Sequence, residues 1–198
     1  MEIVNEVKDQ YASILETKDS NWFKKVAEYY LEVAARLRTR NIMKHESNIT
    51  PLLLRNAQKR LYLGIGCELL LKAFYLKEGY CINKFKGAFA QSKVPTHKLA
   101  TLNRSDINKN DTFTLGDLIN SLSNVGITDP QIKRGFMIAM VFRNKEGHIT
   151  SQKHEFDEKN YREIEKAIID FYRVGFGQDV SFSIAMKSSD EPEFRINT

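Results

Sequence analysis

Only two cysteines, Cys67 and Cys81, occur in the 198 residues. Their scarcity excludes a framework of disulfides, and neither has a ligand-spaced partner for a cysteine metal site. Cys67 falls in an apolar helical run, where a thiol behaves as a small hydrophobe. Four prolines and ten glycines leave long stretches free of helix breakers. No apolar run reaches the ~18 residues that a membrane helix needs; the run from Phe136 to Phe142 is closed by Arg143. The start, Met1-Glu2-Ile3-Val4-Asn5-Glu6, lacks the basic and apolar stretches of a signal peptide, so a soluble cytoplasmic protein is expected. Also missing are a glycine-rich phosphate loop, a G-x-S-x-G elbow and an aromatic stacking platform. These absences disfavour nucleotide-cofactor enzymes. The four histidines are scattered, so neither metal nor cofactor is expected.

What is present describes an ordinary globular chain, 42% hydrophobic and 28% charged, large enough to fold without staples. The net charge of +5 permits an anionic partner such as RNA.

Helical periodicity dominates. Ile3, Val7, Tyr11, Ile14 and Leu15 predict a helix over 2–17. Asp19-Ser20-Asn21 supplies caps for a second, over about 21–43, with an apolar stripe of Trp22, Val26, Tyr29, Tyr30, Val33 and Leu37. Thr50-Pro51 opens a third that runs to Glu78 and stops at Gly79. From Leu61 to Leu76 it is apolar on nearly every face, broken mainly by Glu68 and Lys72, as in the centre of a bundle. Gly64 and Gly66 would each weaken it by ~1 kcal/mol, which implies close approach of a neighbouring helix. Residues 80–113 read as a polar, lysine-rich connection with a short helix after Pro95-Thr96. Thr114 caps a short helix to Leu122. Asp129-Pro130 opens another, carrying Ile132, Phe136, Met140 and Arg143 on one stripe until Gly147. The last covers 158–174, with Tyr161, Ile164, Ile168, Phe171 and Tyr172 inward. Alternation at Val180, Phe182, Ile184 and Met186 is compatible with a small C-terminal β-hairpin. The expected fold is all-α, a bundle of about five main helices.

Arginine followed by four to six residues and then histidine occurs three times: Arg38 to His45, Arg40 to His45, and Arg143 to His148. Spacing alone proves nothing, because so loose a pattern arises by chance. Context separates the copies. Arg40 and His45 end a helix crowded with basic residues, which reads as a solvated face. Arg143 closes an apolar helix, and Gly147 then turns the chain so that His148 can swing back beside it. A guanidinium grips phosphate in a planar fork, and an imidazole exchanges protons near neutrality.

Phe142-Arg143-Asn144-Lys145-Glu146-Gly147-His148, at the end of a buried helix, resembles the Arg-x(4–6)-His signature of HEPN domains. The run Gly66-Cys67-Glu68-Leu69-Leu70-Leu71-Lys72-Ala73 resembles that family's central helix, and Thr96-His97-Lys98-Leu99 a His-x-Leu element between helices. The likeness spans about 52–174, which sets a HEPN-like domain at 51–175 between an N-terminal helical extension (1–50) and a tail (176–198). It implies a dimer with two Arg/His motifs in one cleft and metal-independent endoribonuclease activity. Toxin or defence proteins are typical, commonly with a neutralising partner such as a minimal nucleotidyltransferase. On this chain His148 would be the acid/base, Arg143 would stabilise the phosphorane and Asn144 would orient either. The alternative is a non-catalytic HEPN-like module that binds a partner protein or a nucleotide.

Plainer readings stand beside these. Arg143 and His148 could be a helix-end arginine and a capping histidine. Glu68 and Lys72, four apart, suit an intrahelical ion pair; Glu68 could instead hold Arg143. His97 would serve the start of a short helix, or contact RNA with Lys98 and Lys145. His45 and His154 read as surface residues, and lysines 84, 86, 93, 98 and 109 as a solvated loop or an RNA-backbone track. A two-fold interface would supply a second His148 for the other proton transfer, with Phe136, Met140 and Phe142 available as flanking apolar contacts.

Overall fold

The structure, a computed structural model, describes residues 4–6, 19–39, 49–146 and 157–182. Residues 4–6 are helical, and five longer α-helices carry most of the described chain: α1 (Ser20–Arg36), α2 (Ile49–Lys77), α3 (Leu115–Asn120), α4 (Pro130–Glu146) and α5 (Glu158–Phe171), the last extended by a π-helical turn at Tyr172–Phe176. The mostly helical class is the expected one. A small antiparallel sheet accompanies it, made of β1 (Asn83–Phe85) and β2 (Ile107–Thr112). It lies in the stretch that reads as connection. Val180 and Ser181 are not in a strand, and 183–198, where the rest of a C-terminal hairpin is expected, falls outside the described residues. Most of the first predicted helix, 2–17, falls outside them as well. No described helix is long and apolar enough to cross a membrane.

Local signals account for the helix ends. The Asp19 carboxylate accepts from the backbone N–H groups of Asn21 (2.9 Å) and Trp22 (3.2 Å), satisfying two donors that α1 leaves open. Gly79, at φ +80°, ends α2: its N–H reaches Leu76 O at 2.9 Å while Tyr80 N–H reaches Tyr75 O at 2.8 Å, a Schellman closure. Thr114 and Asp117 exchange side-chain and backbone hydrogen bonds at the start of α3, a capping box.

The chain forms two compact units, Met1–Ala27 with Glu68–Asp129, and Glu28–Cys67 with Pro130–Thr198. In the first, Tyr75 is fully buried and donates its hydroxyl to Leu118 O (3.0 Å), with Ser121 Oγ at 2.7 Å. The sheet pairs Asn83 with Thr112 and Phe85 with Ile107, with an irregularity between. Phe85 packs edge-on to Phe113 (5.4 Å) and His97 (5.1 Å).

In the second unit α4 and α5 run antiparallel. Phe136 meets Phe171 near the start of α4, and Phe142 meets Tyr161 near its end, at 5.2 and 5.3 Å. A side chain on Gly135 would collide with Ala167 and come within 2.6 Å of Glu163 O, so the glycine is what lets these helices touch. Tyr161, Ile164, Ile168, Phe171 and Tyr172 are buried as expected. The Tyr172 hydroxyl donates to Glu28 on α1 at 2.9 Å. Helix α1 departs from expectation: its buried residues are Phe23, Ala27, Leu31 and Ala34, whereas Trp22 and Tyr29 are 56% and 65% exposed.

Candidate functional site

Helix α4 carries Arg143 in its last turn, after the buried positions Ile132, Phe136, Ala139 and Phe142. The seat of Arg143 is Gly64 on α2. A Cβ there would collide with Arg143 Cβ, lie 2.9 Å from Ala139 O and 3.1 Å from Arg143 Cγ. The arginine stem therefore lies on helix backbone. The sequence implies such an approach at Gly64, and Arg143 is the neighbour that makes it.

One turn along the same seam, Arg60 on α2 is ion-paired to Glu146, the last residue of α4. Their side chains are only 3% and 8% exposed. Arg60 and Gly64 are four apart on α2, and Glu146 and Arg143 three apart on α4, so the two helices meet on successive rungs. Glu146 Oε2 is buried without a hydrogen-bond partner among the described residues. Lys59 is likewise buried; its ammonium donates to Leu37 O at 2.8 Å, just past α1, and lies 5.2 Å from the Tyr161 ring centre. That bond meets a carbonyl which the end of α1 leaves open. The motif end of α4 is thus set beside a buried polar cluster that includes Lys59, Arg60 and Glu146.

Asn144 and Lys145 are exposed on the same turn. Gly147 and His148 lie outside the described residues, as do Arg40, Asn41 and His45 of the competing copy and His154. Glu68 and Lys72 form the intrahelical pair at 2.7 Å, and Lys72 also donates to Thr112 Oγ1 at 2.9 Å on β2. They belong to the first unit and Arg143 to the second. His97 does not cap the turn at Leu99–Thr101, whose first flanking residue is Lys98 without a side-chain cap. It packs as a ring instead, 4.7 Å from Phe89 and 5.1 Å from Phe85, with Nε2 3.4 Å from Ser92 Oγ. Lys98 donates to Glu78 O at 2.8 Å and sits over Tyr80. Both residues therefore have structural duties. Phe136 and Phe142 also serve the interior, at 0% and 2% exposure, and cannot line an interface. The apolar residues that α4 exposes are Met137 and Val141.

Lys59, Arg60 and Glu146 are the members that sequence reasoning passes over. Charged residues ahead of an apolar run read as a solvated helix start, because lysine and arginine are almost never buried unless paired. The one legible cue is the spacing from Arg60 to Gly64, which puts a charge on the face where the helix makes room. Among the described residues no three His, Cys, Asp or Glu side chains gather as a metal site would need. Compared with family profiles, curated proteins and solved structures, the chain matches none.

Proposed function

We propose that this protein is a HEPN-type endoribonuclease that cleaves RNA without a metal ion, with Arg143 and His148 as its reacting pair. The observation that carries the reading is the placement of Arg143. It leaves the end of a core helix with its stem against Gly64, five positions before a histidine. A guanidinium whose stem is held against helix backbone offers a planar fork that suits a phosphodiester.

In the proposed reaction the RNA 2′-hydroxyl gives its proton to a histidine and attacks the adjacent phosphorus. The bond from phosphorus to the 5′-oxygen breaks, and that oxygen takes a proton from an acid. The products are a 2′,3′-cyclic phosphate and a 5′-hydroxyl. Arg143 neutralises the charge that builds on the phosphoryl oxygens, and Asn144 orients either partner. Two proton transfers call for two groups, so the site is assigned to a homodimer in which each chain offers one His148.

Purified protein incubated with RNA in EDTA tests this directly. Cyclic-phosphate ends that disappear in Arg143→Ala and His148→Ala support it. RNA left intact across diverse substrates defeats it and favours the non-catalytic module that binds a partner protein, such as an antitoxin or nucleotidyltransferase, or a nucleotide. Mixing the two inactive variants while measuring mass in solution tests the shared site; a fully active monomer refutes it.

A further inference from the structure

We infer that Arg60 is a positioning residue for this site, acting through Glu146 to fix the turn of α4 from which Arg143 projects. The inference rests on the RNA-cleaving reading for its catalytic consequence, but its geometry stands apart from it. Glu146 is the final residue of α4 and directly precedes Gly147-His148 in the chain. The last carbonyls of a helix lack intrahelical partners, and the last turn frays unless something outside it holds on. Here the holding group is a guanidinium from a different helix, buried with the carboxylate it grips. Its neighbour four residues on, Gly64, fixes the Arg143 stem by close approach. One side of α2 thus locates both the cation of the motif and the residue two positions before its histidine in the chain.

An arginine suits this task better than a lysine. The fork is planar, stays charged when buried and meets a carboxylate with a defined direction. An interhelical pair that served only to hold the bundle together could sit anywhere along the seam. This one clamps Glu146, two positions before His148 in the chain.

The test combines amide hydrogen exchange with cleavage kinetics on Arg60→Met, Arg60→Lys and Glu146→Gln in the full chain. In Arg60→Met the amides of Arg143, Asn144, Lys145 and Glu146 should exchange about tenfold faster, while Ile164 and Ile168 in the middle of α5 keep their protection. The turnover number should fall about a hundredfold with KM little changed, because the substrate still binds but its reacting groups are misplaced. Arg60→Lys should recover part of both losses. Glu146→Gln keeps the shape of the acceptor, guards against a variant that does not fold, and should loosen the same four amides. Unchanged exchange at the end of α4 in Arg60→Met and Glu146→Gln overturns the inference. So does a loss of protection spread evenly over α5, which would mark a general stability effect. Loosened amides in a protein whose wild type cleaves no RNA would support the clamp and overturn the RNA reading.

Discussion

Gly64 and Arg143 share one helix crossing: the backbone of α2 at the glycine is the surface on which the arginine stem lies. An alanine would favour the isolated helix by ~1 kcal/mol. Its methyl would nonetheless collide with Arg143 Cβ and press to within 2.9 Å of Ala139 O, and overpacking of this kind costs about 1–3 kcal/mol. Gly64→Ala should therefore destabilise the protein on balance and displace Arg143. Urea unfolding read beside RNA cleavage checks both; a variant more stable than wild type with full activity would contradict the crossing.

Lys59 closes the end of α1 through Leu37 O. Lys59→Met keeps most of the aliphatic stem but leaves that carbonyl without its ammonium donor. Such a change should lower stability by about 1–3 kcal/mol, measured by denaturant midpoint, with the urea slope unchanged.

Alkaline pH should weaken the fold through Tyr75. Burial holds its hydroxyl protonated and pushes its pKa from 10 up to about 12, while the Ser121 hydrogen bond works in the opposite direction. The unfolded chain releases this proton near 10, so above that pH the folded state holds more protons and stability falls as pH rises through 12. Below pH 9 the contribution is fully present. Tyr172 is raised too, by burial and then by Glu28, so the slope belongs to both. Tyr75→Phe and Tyr172→Phe should each flatten it, read from denaturation midpoints between pH 9 and 12.

Cys67 should be inert in the native protein. Burial pushes its thiol well above the ordinary range, and the thiolate is the reactive form. Labelling by a disulfide reagent should run only as fast as the protein unfolds; rapid labelling without denaturant would contradict the burial.

Between the two Arg-Asn-x-x-x-His copies, His148→Ala should lower RNA cleavage by at least about a hundredfold, the share that a positioned acid or base supplies. His45→Ala should leave it largely intact. Equal losses in two folded variants would reverse the assignment.

The sequence is most legible where one residue type has one job. Gly79 can be read as a stop because a left-handed turn after a helix suits glycine, and the five inward positions of α5 follow from period alone. Helix α1 is harder because two stripes interleave in it. Trp22 and Tyr29 carry more apolar surface than Ala27 and Ala34, so area favours the aromatic stripe. The alanines are nonetheless among the buried positions, since small side chains admit close packing. The sheet escapes periodicity altogether. Ile107-Asn108-Lys109-Asn110-Asp111-Thr112 is a polar strand, and an aromatic cluster around Phe85 accompanies it rather than any alternation within it. At the site, Arg143 is readable as the end of an apolar stripe. Arg60 is not, because its burial is compensated by a partner 86 residues away.

Helix α4 is notched on two sides: its own Gly135 receives Ala167 of α5, and Gly64 of α2 receives its Arg143. A rod keyed at both ends cannot slide along its axis by the 1–2 Å that helix-shift switches use without driving backbone into a side chain. Any control over this site must therefore work by release rather than by sliding, freeing one notch or the Arg60 latch. The protein would then behave as a catch that is either seated or sprung, with no graded positions between.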